Sequence, residues 1–236
     1  MTRIAAAIPA YQAGASVGDV VRRTREVLPE VLVVDDGSSD ATAEAARGAG
    51  AELVAHGANR GKGAALVTAF RTLFARGCDA VVTLDADGQH LPEEIPNLLG
   101  AAREGADLVL GTRAHLFDEM VAARRVANRL SSWAISWAAG QALSDVQTGF
   151  RLYTRRLVEA TGFPETRFDA ESAVVVRACR RGFRVVTVPV RLGFADGRTT
   201  SHYRPLVDSL RIARSVVRAR LDVVPPAGLG GSGGAW

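Results

Sequence analysis

Short runs of apolar or β-branched residues alternate with longer segments of helical spacing through the first half of the chain. Runs of this length and composition, bounded by turn residues, are typical of buried strands. Strands are predicted at Arg3–Ile8, Val31–Val34, Glu52–Ala55, Ala80–Leu84, Asp107–Leu110 and Arg184–Val188.

Between these runs, apolar residues recur at every third or fourth position, as on one face of a helix. Ser16 is expected to cap the first helix, and the polar loop 35–40 the second. Alternation of strands and helices predicts an α/β fold with a mostly parallel central sheet flanked by helices. Helices are predicted at Ser16–Leu28, Ala41–Gly48, Ala64–Arg76, Pro92–Arg103, Arg124–Ala139, Ala170–Arg181 and Pro205–Leu221.

The length and composition are those of one large globular domain. The 236 residues are 47% hydrophobic and 23% charged, which provides a core and excludes general disorder. No window approaches 18 consecutive apolar residues, so no membrane-spanning helix is expected. Two isolated cysteines, Cys78 and Cys179, predict buried free thiols rather than a zinc cluster or redox pair. Residues 223–236, rich in Pro and Gly, are expected to form a flexible tail.

The formal net charge of +4 is unevenly distributed along the chain. Residues 1–118 carry 11 basic and 16 acidic side chains, and residues 119–236 carry 18 basic and 9 acidic ones. This asymmetry predicts two sites, one for a cation and one for an anionic partner. Nucleic acid is not the expected partner, because the arginines are not interleaved with aromatic residues and one half is acidic.

Three polar clusters follow predicted strands, at 9–11, 35–38 and 85–90. Ligands of an open parallel sheet bind at this edge. In the third cluster, Asp85 and Asp87 lie on the same side if the extended chain persists, and Gln89 adds another oxygen. These donors suit Mg²⁺ or Mn²⁺, with a substrate diphosphate completing the coordination. A helix-capping turn is the alternative interpretation.

The glycine-rich segment 57–63 is not a P-loop, because one spacer residue is missing and Gly63 replaces Ser or Thr. It still predicts a helix N-terminus that favours anions. Lys62 either contacts a phosphate there or lies on the surface of a tight turn.

Together these motifs resemble the family-two inverting glycosyltransferases of the GT-A fold, a Rossmann-like fold of nucleotide-diphospho-sugar transferases. The chain is most similar to dolichol- and polyprenyl-phosphate mannosyltransferases and glucosyltransferases, over about residues 3–220. The polysaccharide synthase motif Gln-x-x-Arg-Trp is absent, which argues against processive polymerisation. The resemblance is carried by Ile8–Tyr11, Val33–Asp40, Asn59–Gly63, Leu84–His90, Gly111–Arg113 and Asp145–Arg151.

The resemblance implies one domain over 1–222, with a nucleotide-sugar and metal half at 1–118 and an acceptor half at 119–222. Asp87 and Arg113 would be catalytic, and Asp85, Asp87 and Gln89 would hold Mg²⁺ or Mn²⁺. The chain departs from the mannosyltransferase pattern near 201–204 and between 113 and 128. The implied nucleotide-binding residues are Pro9, Ala10, Tyr11, Asp36, Lys62, Asp85, Ala86, His202 and Arg204. The implied acceptor-binding residues are Arg124, Arg125, Arg129 and Thr148.

The reaction implied is inverting transfer of a hexose from GDP-mannose or UDP-glucose to a polyprenyl or dolichyl phosphate. A phosphate monoester, with a second pKa of about 6, is already largely anionic and needs basic groups rather than a strong base. A hydroxyl acceptor on a lipid or glycan is the alternative and needs a base, for which Asp145, Asp169 and Glu171 are candidates. A non-catalytic nucleotide-binding scaffold is a further alternative.

Two segments bear on a lipid acceptor. In 126–143, Trp133 and Trp137 follow several arginines, which is typical of an interfacial helix or of a helix packed on the sheet. We expect a cytoplasmic enzyme, peripheral on the cytoplasmic membrane face. The C-terminal helix is expected to place Arg211, Arg214 and Arg218 on one face and Leu206, Leu210, Val217 and Leu221 on the other.

Overall fold

The computed structural model describes residues 3–112, 132–143, 145–146, 148–167, 169–193 and 205–221, with the backbone alone for 205–211. A 3₁₀ turn, Pro92–Glu94, precedes α4, and residues 132–139 are helical. The strands are β1 Ile4–Ala10, β2 Val31–Asp35, β3 Glu52–Ala55, β4 Ala80–Thr83, β5 Leu108–Thr112, β6 Arg151–Thr154 and β7 Val185–Pro189. The helices are α1 Val17–Val27, α2 Thr42–Gly48, α3 Lys62–Ala75, α4 Ile95–Arg103, α5 Arg155–Thr161, α6 Asp169–Arg180 and α7 Pro205–Leu221.

The described strands form one sheet in the order β3-β2-β1-β4-β6-β5-β7. Strand β6 runs antiparallel to both of its neighbours, and the remaining pairs are parallel. The predicted α/β fold with a mostly parallel sheet is therefore confirmed. Strand β6 and helix α5 were not among the predicted elements.

Helices cover both faces of the sheet because its strands are apolar on both sides. Alternate residues of β1 illustrate this: Ala5 and Ala7 pack in the core cluster that includes α3 and α6, whereas Ala6 and Ile8 pack with α1 and α4. The buried strands are thus fixed between two apolar layers. Their carboxyl ends form a rigid edge.

Some local expectations are wrong. Strand β1 does not end at Ile8 but continues through Pro9 to Ala10. Its pairing with β4 ends at Ala7, so the missing N–H of Pro9 removes no hydrogen bond to β4. Ser16 makes no capping bond, and its hydroxyl instead donates to the Ala86 carbonyl at 2.6 Å. Cys78 is buried as expected, but Cys179 is partly exposed. The predicted tail and residues 113–131 lie outside the described residues.

Two helices present apolar side chains on their exposed faces. In 132–139, Trp133 and Trp137 are 67% and 61% exposed, while Ile135 and Ala138 pack into the core. This segment therefore packs on the domain, as one of the two interpretations predicts, and also exposes its tryptophans; its contact with a membrane stays a prediction. Among the described residues, no helix is long and apolar enough to cross a membrane.

The prediction for the exposed part of α7 is wrong. Val217 and Leu221 share the exposed face with Arg214 and Arg218 instead of lying opposite them. Steps of three and four residues bring side chains to the same side of a helix, and such steps separate 214 from 217 and 218, and both of these from 221. The buried face of this part of α7 consists of Ile212, Ser215, Val216 and Ala219.

A fully buried arginine anchors the antiparallel strand. The Arg151 guanidinium donates to the carbonyl oxygens of Thr148 at 2.7 Å, Glu171 at 2.6 Å and Val146 at 2.8 Å. These carbonyls lie in two separate segments, so one side chain ties the chain before β6 to helix α6. Buried carbonyls deprived of such a donor are costly.

We predict that Arg151→Ala lowers the free energy of unfolding by about 3 kcal/mol or more, because three buried carbonyls lose their donor. Arg22→Ala, which removes an exposed pair with Asp19, is the control and is expected to cost about 0.5 kcal/mol or less. Urea denaturation measures both. Equal midpoints for the two variants contradict the anchoring role.

Candidate active site

Three loops meet at the carboxyl edge of the sheet. In the register, Ala10 at the end of β1 lies beside Asp35 at the end of β2, and Ala7 lies beside Thr83 at the end of β4. The Thr83 hydroxyl donates to the Gly149 carbonyl at 2.8 Å, which brings the segment before β6 to the same edge. The polar clusters that the sequence places after these strands are thus neighbours.

Gln12 forms hydrogen bonds that join the loop after β1 to the loop after β2. Its backbone, at a φ of 52°, donates to the Ser38 hydroxyl at 2.9 Å. Its side-chain oxygen accepts the amides of Ser39 and Asp40 at 3.3 and 3.2 Å. Tyr11, which is partly exposed, directly precedes Gln12. The hydrogen bonds of Gln12 therefore hold the loop after β1 against the loop after β2, where the candidate nucleotide pocket lies.

Asp36, a predicted nucleotide-binding residue, is buried and holds the glycine-rich loop. Its carboxylate accepts the amides of Arg60 at 3.0 Å and Gly61 at 2.7 Å, and His56 Nδ1 lies 2.7 Å from it. These contacts position the loop that leads into α3. A contact of Asp36 with the nucleotide remains a prediction.

The N-terminus of α3 is covered rather than open. The Ala64 amide donates to the Thr166 carbonyl at 3.0 Å. Gly61 has a φ of +99°, and a Cβ there would meet the same carbonyl oxygen at 2.5 Å. With Gly61 bonded to Asp36 and Ala64 to Thr166, neither amide is free for a phosphate. The expected anion preference of this terminus is not supported for these two groups.

Lys62 points into the site between two carboxylates. Its Nζ lies 2.6 Å from Asp85 Oδ1 and 2.9 Å from Glu171 Oε2. Burial lowers the pKa of the Lys62 ammonium, but the two carboxylates raise it further, and the net direction is above its ordinary value. The alternative of a surface lysine on a turn is therefore wrong. A phosphate contact remains a prediction.

Gly149 makes this ion pair possible. A Cβ at this position would lie 2.5 and 2.6 Å from the two Asp85 oxygens and 2.6 Å from Lys62 Nζ. Behind Asp85, His90 Nδ1 accepts the Asp85 amide at 3.1 Å, and the His90 ring stacks on Phe150 at 5.4 Å between centroids. Asp85 is thus fixed through both its side chain and its backbone.

Asp87 occupies a different position from Asp85. The strand ends at Thr83 and the chain turns at 86–87, so the extended geometry that would align the two aspartates does not persist. Asp87 Oδ1 accepts the Gln89 amide at 3.0 Å, and both side chains are partly exposed. The described part of the chain contains no group of three or more His, Cys, Asp or Glu residues able to hold a metal.

The remaining predicted site residues divide into two groups. Thr148 is buried, its hydroxyl accepts the Phe150 amide at 3.2 Å, and its acceptor-binding role remains a prediction. The predicted residues outside the described ones are Arg113, Arg124, Arg125, Arg129, His202 and Arg204.

Sequence reasoning missed several members of the site. His90 and Gly149 lie inside the family motifs 84–90 and 145–151, and this position in a motif is their signal in the sequence. For Glu171 the sequence predicts only the role of a candidate base. Its contact with Lys62 joins residues about a hundred positions apart, and such a pairing has no signal in a single sequence.

A family model, glycosyl transferase family 2, matches residues 6–162. The chain belongs to this family. It is 35% identical to the undecaprenyl-phosphate mannosyltransferase of Micrococcus luteus, with 80% of this chain and 82% of that protein covered. It is 39% identical to an undecaprenyl-phosphate 4-deoxy-4-formamido-L-arabinose transferase of Pseudomonas aeruginosa, with 82% of this chain and 58% of that protein covered. The matches span about half the length of the arabinose transferase relatives.

Solved structures show the same GT-A fold for this family-2 transferase. Glucosyl-3-phosphoglycerate synthase from Mycobacterium tuberculosis, in complex with Mn²⁺, UDP and phosphoglyceric acid, gives a TM-score of 0.66 at 24% identity. That match covers 97% of this chain and 81% of the synthase. The synthase with Mg²⁺ and UDP gives 0.64 at 25% identity, covering 97% and 82%.

We predict that Lys62→Met destabilises the family-2 transferase by about 3 kcal/mol at pH 8, because the buried Glu171 loses its nearer cation and keeps only Arg151 Nε, 3.9 Å from its Oε1. A buried carboxyl that has lost its nearer cation destabilises the fold only in its charged form, so acidic conditions that favour the neutral form reduce the cost. The deficit relative to wild type should therefore shrink towards pH 5.

The control is the double variant Lys62→Met/Glu171→Gln. Its cost should be smaller than the sum of the two single costs, because the neutral amide needs no cation. Denaturant unfolding between pH 5 and 8 measures the free energy of unfolding of wild type, Lys62→Met, Glu171→Gln and the double variant. Additive costs and a pH-independent deficit contradict the ion pair.

Proposed function

We propose that this family-2 transferase moves a hexose, with inversion, from a nucleotide sugar to a polyprenyl phosphate at a membrane surface. The observation that carries the proposal is the gathering of the three polar loops around Lys62 and Asp85 at the carboxyl edge of the sheet. Similarity to undecaprenyl-phosphate sugar transferases supports the acceptor class. The donors proposed are GDP-mannose and UDP-glucose, bound by the half at 1–118, with the acceptor bound by the half at 119–222.

The exposed oxygens of Asp87 and Gln89 fit a divalent cation. Mg²⁺ is commonly held by one or two carboxylates together with substrate phosphates, and an open site of this kind suits that arrangement. The synthase structures with Mn²⁺ or Mg²⁺ and UDP support the assignment. The cation supplies charge stabilisation for the departing diphosphate. Asp85 is the third proposed ligand, although its Oδ1 contacts Lys62.

The donor is proposed to lie across the loops after β1 and β2. Pro9, Ala10 and Tyr11 would line the nucleotide pocket, with Asp36 holding its far wall. Lys62 would face the diphosphate. The other proposed contacts are the Ala86 backbone, His202, Arg204 and the catalytic Arg113.

The surroundings of the candidate bases favour a phosphate acceptor. Glu171 is paired with Lys62, and Asp169 accepts a hydrogen bond from the Ser215 hydroxyl at 2.6 Å. Asp145 is buried. A general base needs a free carboxylate within reach of the acceptor proton, whereas a phosphate monoester is already anionic. Acceptor contacts are proposed for Arg124, Arg125, Arg129 and Thr148.

Peripheral membrane contact is proposed through an apolar patch formed by Trp133, Trp137, Val217 and Leu221. Arg220 joins the two helices that carry it, since its guanidinium lies 4.2 Å from the Trp137 ring centroid and donates to the Trp137 carbonyl. Exposed tryptophans beside arginines suit a membrane interface. The enzyme is proposed to act at the cytoplasmic face.

We predict release of nucleoside diphosphate when the protein is incubated with Mg²⁺ or Mn²⁺, a short polyprenyl phosphate, and GDP-mannose or UDP-glucose in parallel. A lipid phosphate is a competent nucleophile without a base, so release should require it. Chromatography of the nucleotide and of the glycolipid measures the reaction. Release with a hydroxyl acceptor alone favours the alternative acceptor class, and no release with any lipid phosphate overturns the proposal.

Asp87→Ala is expected to lower kcat at least a hundredfold, because the leaving diphosphate loses its cation. Calorimetry with Mn²⁺ and nucleoside diphosphate should show a matching loss of metal affinity, independent of turnover. Asp19→Ala, at an exposed position on α1, is the matched control. Unchanged metal affinity in Asp87→Ala moves the metal elsewhere.

The double variant Trp133→Ser/Trp137→Ser is predicted to bind anionic vesicles at least tenfold more weakly, because two exposed aromatic rings are lost from the interface. Sedimentation with phosphatidylglycerol vesicles measures binding, and thermal unfolding checks the fold. Wild-type binding by this variant excludes the patch as the membrane contact.

A further inference from the structure

His56, directly after β3, forms a buried link between the loop after β2 and helix α3. Its side chain is 5% exposed, and its two ring nitrogens contact different elements. Nδ1 lies 2.7 Å from Asp36 Oδ1, in the loop after β2, and Nε2 lies 2.9 Å from Thr68 Oγ1, on α3. The His56 amide also donates to the Asp35 carbonyl at 2.8 Å. Three separate contacts therefore set the position of the imidazole.

The contacts of the Asp36 carboxylate determine where its oxygens lie. In the described part of the chain, Oδ1 accepts the Arg60 amide and contacts His56, whereas Oδ2 accepts the Gly61 amide. His56 is thus the side chain that orients this carboxylate, beside two amides of the glycine-rich loop. A carboxylate oxygen accepts two hydrogen bonds, so Oδ2 retains capacity for one N–H or O–H group of a nucleotide.

Helix α3 gives the imidazole a rigid support. Apolar residues of this helix on both sides of Thr68 are buried in the core. The Thr68 hydroxyl donates to the Ala64 carbonyl at 3.1 Å, which fixes the rotamer of its side chain. A side chain at a binding site is held accurately only when the groups behind it are themselves locked by packing and hydrogen bonds. The contacts of Thr68 with His56, and of His56 with Asp36, thus connect the core to the candidate nucleotide pocket.

We propose that His56 is a positioning residue for nucleotide recognition, which holds the Asp36 carboxylate against α3 at the place where the nucleotide sugar binds. The inference rests on the proposed function, because it takes Asp36 as a nucleotide contact. His56 acts through Asp36 and is assigned no contact with the nucleotide or with the reacting atoms. Loss of His56 therefore weakens donor binding and leaves acceptor binding and the chemical step nearly unchanged.

Two substitutions separate the roles of the two ring nitrogens. In His56→Asn, the amide nitrogen is as many bonds from Cβ as Nδ1 is, so it still donates to Asp36. In His56→Gln, the amide nitrogen corresponds to Nε2, so it reaches Thr68 and leaves Asp36 without its donor. Binding of GDP and of UDP is measured by calorimetry with Mn²⁺ and without acceptor. His56→Gln should weaken binding of the nucleotide that wild type prefers at least tenfold, and His56→Asn only about threefold.

Thr68→Val removes the hydroxyl behind the imidazole, and Thr72→Val is the matched control. Both threonines are partly buried on α3 and donate to the carbonyl four residues earlier, but of the two it is Thr68 that contacts His56. Thr68→Val should weaken nucleotide binding about threefold, whereas Thr72→Val should bind as wild type does. In the His56→Asn background, Thr68→Val should have no further effect, because the shorter amide does not reach Thr68.

Steady-state kinetics and thermal unfolding complete the test. In His56→Gln the donor KM should rise while kcat and the acceptor KM change by less than about twofold. Wild-type nucleotide affinity in both His56→Gln and Thr68→Val overturns the inference, even if wild type transfers sugar. Equal losses in Thr68→Val and Thr72→Val that follow the unfolding midpoint also overturn it, since they show a purely structural role.

The same measurements distinguish this inference from the proposed function. Nucleotide binding that depends on His56, without sugar transfer to any polyprenyl phosphate, supports the positioning role and overturns the proposed acceptor. Sugar transfer by wild type together with unaltered donor KM in His56→Gln does the reverse. Binding of neither GDP nor UDP by wild type overturns both.

Discussion

The Lys62 ammonium, held between Asp85 and Glu171, is the contact on which the candidate site depends. It joins the start of α3, the end of β4 and the first turn of α6. A buried charge is stable only while its partners stay in place, because separation leaves carboxylates without a cation in a poorly solvated site. The pair therefore fixes three elements of the sheet edge relative to one another.

A second cation, the fully buried Arg151, contacts the same residue of α6. Arg151 donates to the Glu171 carbonyl, while Lys62 contacts the Glu171 carboxylate. The same guanidinium bonds to the Thr148 carbonyl, and so holds the chain on the N-terminal side of Gly149, where a larger residue would displace Asp85. The antiparallel direction of β6 is essential here, since it brings the start of that strand to the end of β4. The geometry of the site thus follows from sheet topology together with the contacts of Lys62 and of the buried Arg151.

The parallel part of the fold was predictable from sequence because its strands are continuous apolar runs separated by amphipathic helices. Strand β6 was not, because its first residue is a charged arginine that the fold buries completely. For the site, the polar clusters at strand ends were predictable from the pattern, whereas the partners of Asp36 and Lys62 were not. Those contacts join distant segments, and single-sequence periodicity carries no information about them.

Much of the charge asymmetry of the sequence is neutralised in the structure by internal contacts. In the acidic half, Asp36 is bonded to loop amides and Asp85 Oδ1 contacts Lys62, while the side chain of Asp87 is partly exposed. In the basic half, Arg151 is bonded to carbonyls and Arg177 to Glu165. A ligand interacts only with the charged groups that are not already paired within the protein. Formal totals for each half therefore overstate the attraction, and the arginines without described partners are the ones that bear on an anionic acceptor.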